Sequence, residues 1–174
     1  MNARIHYPSI FNDVIGPVMR GPSSSHCAAS VRIGRLARAL MNDRIEKVLI
    51  EFDPNGSLAT THASQGSDMG LFGGLLGWDA ADERLPGSDR AIQEAGTGVE
   101  IRVASIGATH PNTYKLTLSN RDESHEMIAI STGGGMIEVT RIDGATVSLA
   151  GDSFVTLVFI EGPSEAVHQY VRER

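Results

Sequence analysis

Three serines and a histidine stand in a row at Ser23, Ser24, Ser25 and His26, directly after Gly21-Pro22 and directly before a run with helical spacing. Hydroxyls at a helix entrance can do two things. They can accept hydrogen bonds from the first N–H groups of the helix, which have no backbone partner. They can also leave those N–H groups to a small anion, because the same end carries the positive pole of the helix dipole. A cap needs one serine, and three after Gly-Pro exceed that need, so on the residues alone the two readings stand level. His26 adds a group that exchanges protons near neutral pH. A lone histidine is more often structural than catalytic, but the positive helix end disfavours its charged form and suits a neutral imidazole that accepts or relays a proton.

Three other stretches carry polar side chains beside glycine or proline. Gln65-Gly66-Ser67-Asp68 reads as a helix start, with Ser67 or Asp68 as its cap. His110-Pro111-Asn112-Thr113 reads as a turn entering a strand. Ser131-Thr132-Gly133-Gly134-Gly135 makes either a sharp hairpin or a backbone surface that admits a ligand. Metal chemistry finds little support. Cys27 is the single cysteine, and the histidines at 6, 26, 62, 110, 125 and 168 form no His-x-x-x-His pair. A metal centre working with this chain is therefore expected on another chain.

The elements that must position these groups follow from spacing and composition. A chain of 174 residues, 41% hydrophobic and 21% charged, fits one globular domain. Its net charge of -6 argues against nucleic acid as a partner. No apolar run reaches the roughly 18 residues of a membrane span, and residues 1–20 lack a signal peptide's apolar core, so a soluble cytoplasmic protein is expected. Ala29, Ile33, Leu36, Ala37 and Leu40 predict a helix over 28–41. Residues 44–52 predict a strand, and DPNGS after it a turn. A glycine-rich helix is expected over 64–77 with Leu71, Leu75 and Leu76 inward. Each glycine there costs about 1 kcal/mol relative to alanine, so close packing is the reason to expect them. After a linker over 78–85 comes a short helix over 86–96. Strands are predicted at 99–104, 113–119, 126–131, 136–141, 145–149 and 154–161, then a final helix capped by Ser164. The expected fold class is α+β, with helices packed on one face of a mixed, largely antiparallel sheet.

Taken in order, the motifs resemble one family. Gly-Pro-Ser-Ser-Ser-His, Gly-Ser-Leu-Ala, Gly-Ser-Asp, Gly-Gly-Leu-Leu-Gly, Asp-Glu-Arg, His-Pro-Asn-Thr and Gly-Gly-Gly, with the opening SIFNDVIGPVMRGPSSSH, are similar to the β chain of iron–sulfur-dependent L-serine dehydratase. The resemblance runs from about residue 8 to residue 152. It implies an α+β domain related to the allosteric substrate-binding domain of some phosphoglycerate dehydrogenases. It also implies a partner α chain that carries a [4Fe-4S] cluster, whose open iron acts on the substrate hydroxyl. Serine would lose water, and the enamine would hydrolyse to pyruvate and ammonia.

By the same resemblance His26 handles protons, while Ser23, Ser24, Ser25, Gln65, Ser67, Asp68 and Asn112 face the substrate, and no residue of this chain ligates metal. Homo-oligomerisation through the β domain is also implied, with residues 153–174 as a strand-and-helix tail in place of a small ligand-binding ACT domain. Two positions depart from the family pattern. Where the family reads Gly-His-Gly-Thr-Asp, this chain has Ser64-Gln65-Gly66-Ser67-Asp68, and where a threonine follows the motif histidine, it has Cys27. Gln65 cannot act as a general base near neutral pH, and His62 is the nearest histidine that could replace one. A silent small-carboxylate-binding regulatory module, a purely structural subunit, and a relative acting on another hydroxy acid are the competing readings.

Overall fold

The computed structural model describes residues 16–42 and 44–159. Most of the opening stretch before the serine motif, and the helix expected after Ser164, lie outside the described residues.

The serine motif enters a single π-helical turn, Ser24–Ala28, which runs into α1, Ala29–Leu40. The apolar stripe is the reason α1 forms here: Ala29, Ile33 and Ala37 are fully buried on its inner side. It stops at Met41-Asn42, where Asn42 takes φ 47°, a left-handed conformation that asparagine tolerates better than most residues. β1, Lys47–Phe52, follows, with Val48, Ile50 and Phe52 buried in strict alternation. Then come α2, Leu58–Thr61, α3, Ser67–Leu75, a 3-10 turn over Leu85–Gly87, and α4, Ser88–Glu94.

The expected glycine-rich helix is thus shorter than its apolar pattern. Gly66 sits in the left-handed region at φ 84° immediately before α3, and Gly77 at φ 82° follows it, so both ends are set by backbone and not by hydrophobicity.

β2, Gly98–Val103, lies parallel to β1. The three helices between them form the crossover that a parallel pair requires. β3 (Thr113–Ser119), β4 (Ser124–Gly133), β5 (Met136–Ile142) and β6 (Ala145–Leu149) add antiparallel strands. The sheet order is β2-β1-β3-β4-β5-β6. Register is fixed by facing apolar residues: Ile50 opposes Leu116, which opposes Met127. The core is one layer between the helices and this sheet face, and it joins Ile33, Phe52, Leu71, Tyr114, Leu118 and Val139. The fold is the α+β arrangement expected, with helices over a six-stranded mixed sheet.

The strand expected at 154–161 does not form over its described residues. Residues 154–159 take neither strand nor helix, and Phe154, Val155, Leu157, Val158 and Phe159 are all exposed. Their composition suits a strand, but a strand needs a neighbour to pair with, and among the described residues none is paired to this segment.

Candidate active site at the entrance of the first helix

Ser23 occupies the N-cap position with an extended backbone (φ -144°, ψ 124°), yet its side chain makes no capping bond. Its carbonyl accepts from the N–H groups of His26 (3.3 Å) and Cys27 (2.7 Å), while its hydroxyl turns inward. Ser23 Oγ lies 3.0 Å from His26 Nδ1 and 3.2 Å from Ser25 Oγ, and Ser25 Oγ lies 3.3 Å from the same ring nitrogen. Two of the three hydroxyls are therefore spent on the imidazole, and the first N–H groups of the helix are left without a side-chain cap. The π turn here shifts the backbone ladder at the same place; such turns recur at functional sites.

The other ring nitrogen fixes the tautomer. His26 Nε2 lies 3.2 Å from Thr61 Oγ1. The single proton of that hydroxyl is donated to the Ser57 carbonyl at 2.6 Å, so Thr61 can only accept from the ring. His26 Nε2 carries the hydrogen and Nδ1 accepts from serine. Burial pushes the His26 pKa below its ordinary value, which keeps the ring neutral. The line continues past Thr61: the Ser57 hydroxyl donates to Asn112 Oδ1 and reaches the Pro111 carbonyl at 3.3 Å. The Asn112 carbonyl in turn accepts from the N–H of Ser131 at 3.0 Å.

Ser131 is 1% exposed, and its Oγ is buried without a hydrogen-bond partner among the described residues. An orphaned buried hydroxyl costs free energy unless something else satisfies it. It lies at the end of β4, just before Gly133, Gly134 and Gly135, all with positive φ. The last of these packs its α-carbon close to Ala28 and Pro17 beneath the serine motif. The glycine run expected either as a hairpin or as a ligand-admitting surface is a hairpin seated against that motif.

The second loop comes from α2 and α3. Gly66 packs against Cys27 and Pro22, where an added Cβ would lie 3.3 Å from each. Gln65 is half-buried in this loop. Ser67 is 0% exposed, and its hydroxyl is bonded to Tyr114 Oη at 3.0 Å. Burial raises the Tyr114 pKa. Both carboxylate oxygens of Asp68 lie 2.8 Å from His62 Nδ1. Cys27 is fully buried, donates to the Arg20 carbonyl at 2.9 Å, and has its thiol pKa pushed up to about 11 by burial. It is neither a nucleophile nor a ligand at neutral pH.

Among the residues named from sequence, Ser23, Ser25, His26 and Asn112 belong to one hydrogen-bonded line, Ser24 stands at its uncapped helix end, and Gln65 lies in the adjoining loop. Ser67 and Asp68 face inward, onto Tyr114 and His62. Sequence reasoning missed Ser57 and Thr61, which join His26 to Asn112. His110 adjoins the end of that line, its Nδ1 accepting from the Asn112 N–H at 3.1 Å, and borders an open depression next to Asp53, whose oxygens accept from the N–H groups of Asn55, Ile106 and Ala108.

Among the described residues no three His, Cys, Asp or Glu side chains gather into a metal site, and no helix is long and apolar enough to cross a membrane. The side chains present do not fit an iron–sulfur cluster, which needs thiolates.

Fold and site together define an α+β domain whose first helix entrance carries a hydroxyl–imidazole line. No family model matches the chain. It is 42% identical over 152 residues to the probable L-serine dehydratase, beta chain, of Bacillus subtilis (strain 168), a match covering 87% of this chain and 68% of that protein. It is 32% identical over 156 residues to the L-serine dehydratase, beta chain, of Peptoniphilus asaccharolyticus, covering 88% of this chain and 68% of that one. The chain belongs to the L-serine dehydratase β-chain family.

Proposed function

We propose that this chain is the β subunit of an L-serine dehydratase and works with a cluster-bearing α chain to convert serine into pyruvate and ammonia. The observation that carries this reading is the uncapped helix entrance: Ser23 and Ser25 bond to His26 and not to the backbone. The open N–H groups and the Ser24 hydroxyl then take the substrate carboxylate, with the helix dipole favouring its charge. The buried Ser131 hydroxyl gains a partner when a substrate oxygen or a water arrives with it. His26 accepts from the serine hydroxyls at Nδ1 and donates to Thr61 from Nε2, which holds the ring neutral and in place beside the helix entrance. Ser67 and Tyr114 anchor the start of α3 from within. The cluster belongs to the α chain, where it supplies Lewis-acid chemistry at the substrate hydroxyl.

A silent module that binds a small carboxylate and regulates a partner is favoured by one observation, Gln65, which cannot take a proton usefully. One experiment separates capping from substrate grip. Ser24→Ala combined with Ser25→Ala should raise KM for serine in the assembled complex by about tenfold or more, since one lost charge-assisted hydrogen bond is worth roughly 1.5–3 kcal/mol. Melting temperature should hardly move, because neither serine makes a capping bond. Equal losses of stability and activity, of the about 0.5–2 kcal/mol a lost cap costs, would return the motif to capping.

A further inference from the structure

We propose that His62, oriented by Asp68, is the base that removes the substrate's Cα proton, a role that rests on the serine dehydratase reading above. A base needs an imidazole nitrogen with a free lone pair. His26 offers none in this structure, because Nδ1 accepts from serine hydroxyls and Nε2 carries the hydrogen donated to Thr61. His62 differs. Its Nδ1 faces both oxygens of Asp68 at 2.8 Å, which fixes the hydrogen on Nδ1 and leaves Nε2 as the acceptor. No hydrogen bond reaches that Nε2 among the described residues.

The ring is held from a second side as well. It stacks on Phe52 with centroids 5.0 Å apart and planes 26° from parallel, and Phe52 is itself fully buried. Yet the His62 side chain keeps 23% of its surface exposed, so it is fixed without being sealed. Asp68 lies in the first turn of α3, where the helix dipole favours a carboxylate. This is the nucleus of an oriented base: carboxylate, imidazole, open nitrogen.

His62 borders the site along the chain. Thr61, the residue before His62, bonds His26, and the loop between His62 and Asp68 packs through Gly66 on Pro22 and Cys27. Gln65 lies in that same loop and cannot serve as the base.

The step balances within the substrate and this ring. His62 Nε2 takes the proton from Cα, and the C–H electron pair becomes the second bond between Cα and Cβ. The Cβ–O bond breaks with its pair on oxygen. The departing hydroxide takes the proton from His62 and leaves as water, which returns the ring to its neutral form.

The test is steady-state turnover of serine by the assembled α–β complex. His62→Gln, which keeps size and polarity but not basicity, should lower kcat by about 10²–10⁴-fold with KM little changed. His62→Ala should regain part of its activity from imidazole added to the buffer, and Asp68→Asn should give an intermediate loss. A loss that imidazole does not restore, with KM raised and melting temperature lowered, would make the pair a loop anchor and overturn the inference. So would a His62→Gln complex that keeps its kcat within about threefold, far below what a lost base costs. Failure of the wild-type complex to turn over serine would instead overturn the parent reading, and is distinguished by the wild-type control alone.

Discussion

His26→Ala should lower serine turnover by the assembled complex by about 10²-fold or more, the scale on which a misplaced reacting group costs rate. Among the described residues the ring links two sets of hydroxyls: Ser23 and Ser25 on Nδ1, Thr61 on Nε2. Without it the serines lose their common partner, and Ser23 and Ser25 are free to rotate back and cap the helix, which would compete with the proposed substrate carboxylate for the same N–H groups. The loss should appear in kcat and KM together, because the ring orients the same serines that border the proposed substrate position. The wild type should also show an acid limb. His26 must be neutral to accept from serine, and burial places its pKa below the ordinary value near 6.5. Activity therefore holds above that value and falls as pH drops through the lowered one. The same sign applies to stability: a histidine whose folded pKa is depressed contributes stability above its unfolded pKa, and loses it on acidification. Turnover of His26→Ala equal to wild type would remove the histidine from the mechanism.

Gly74→Ala should destabilise the protein strongly, and Gly87→Ala should not. A Cβ on Gly74 would stand 2.2 Å from the Val31 carbonyl and 2.9 Å from the Gly34 α-carbon, so α1 and α3 would have to move apart. Backbone cannot swing aside as a flexible side chain does. Overpacking of this kind costs about 1–3 kcal/mol or more, which exceeds the about 1 kcal/mol that alanine returns in helix propensity. Gly87 has nothing within 4 Å of its virtual Cβ and takes φ -105°, open to any residue. There alanine should be neutral or add about 0.4–1 kcal/mol by narrowing the unfolded ensemble. Urea unfolding of the two variants reads the contrast. Activity should fall with Gly74→Ala as well, because α1 is entered through His26 and α3 carries Asp68 in its first turn.

The stripe of α1 and the alternation of β3 and β6 are local, and the strands expected at 113–119 and 145–149 coincide with those that form. Asp143-Gly144, with φ of 48° and 79°, turns β5 into β6 as its residue types foretell. Close packing was the expected reason for the glycines of α3, and Gly70 and Gly74 meet Ser30, Val31 and Gly34 across the helix crossing. The start of α3 was misjudged because apolar spacing does not register the left-handed turn at Gly66. The segment over 154–159 was misjudged because β-branched and aromatic composition records a preference, while pairing requires a neighbour.

At the site, the contacts among Ser23, Ser25 and His26 were within reach of spacing alone, being one to three residues apart. Thr61 was not: it comes to His26 from 35 residues away, through the crossover after β1. Ser67 had every mark of a cap residue, yet its hydroxyl turns to Tyr114, 47 positions along the chain. The pairing of Asp68 with His62 was hidden for a similar reason, since nothing in Gln65-Gly66 announces that the chain folds back on itself there.

In the proposed function this chain supplies substrate grip and proton handling to an active site that the α chain completes. Anaerobic purification with and without the α chain, followed by pyruvate release from L-serine, tests it most directly. The isolated chain should hold no stoichiometric iron and release no pyruvate, and turnover by the α–β complex should collapse with Ser24→Ala/Ser25→Ala. Stoichiometric iron and sulfide in the isolated chain, with serine turnover, would contradict it.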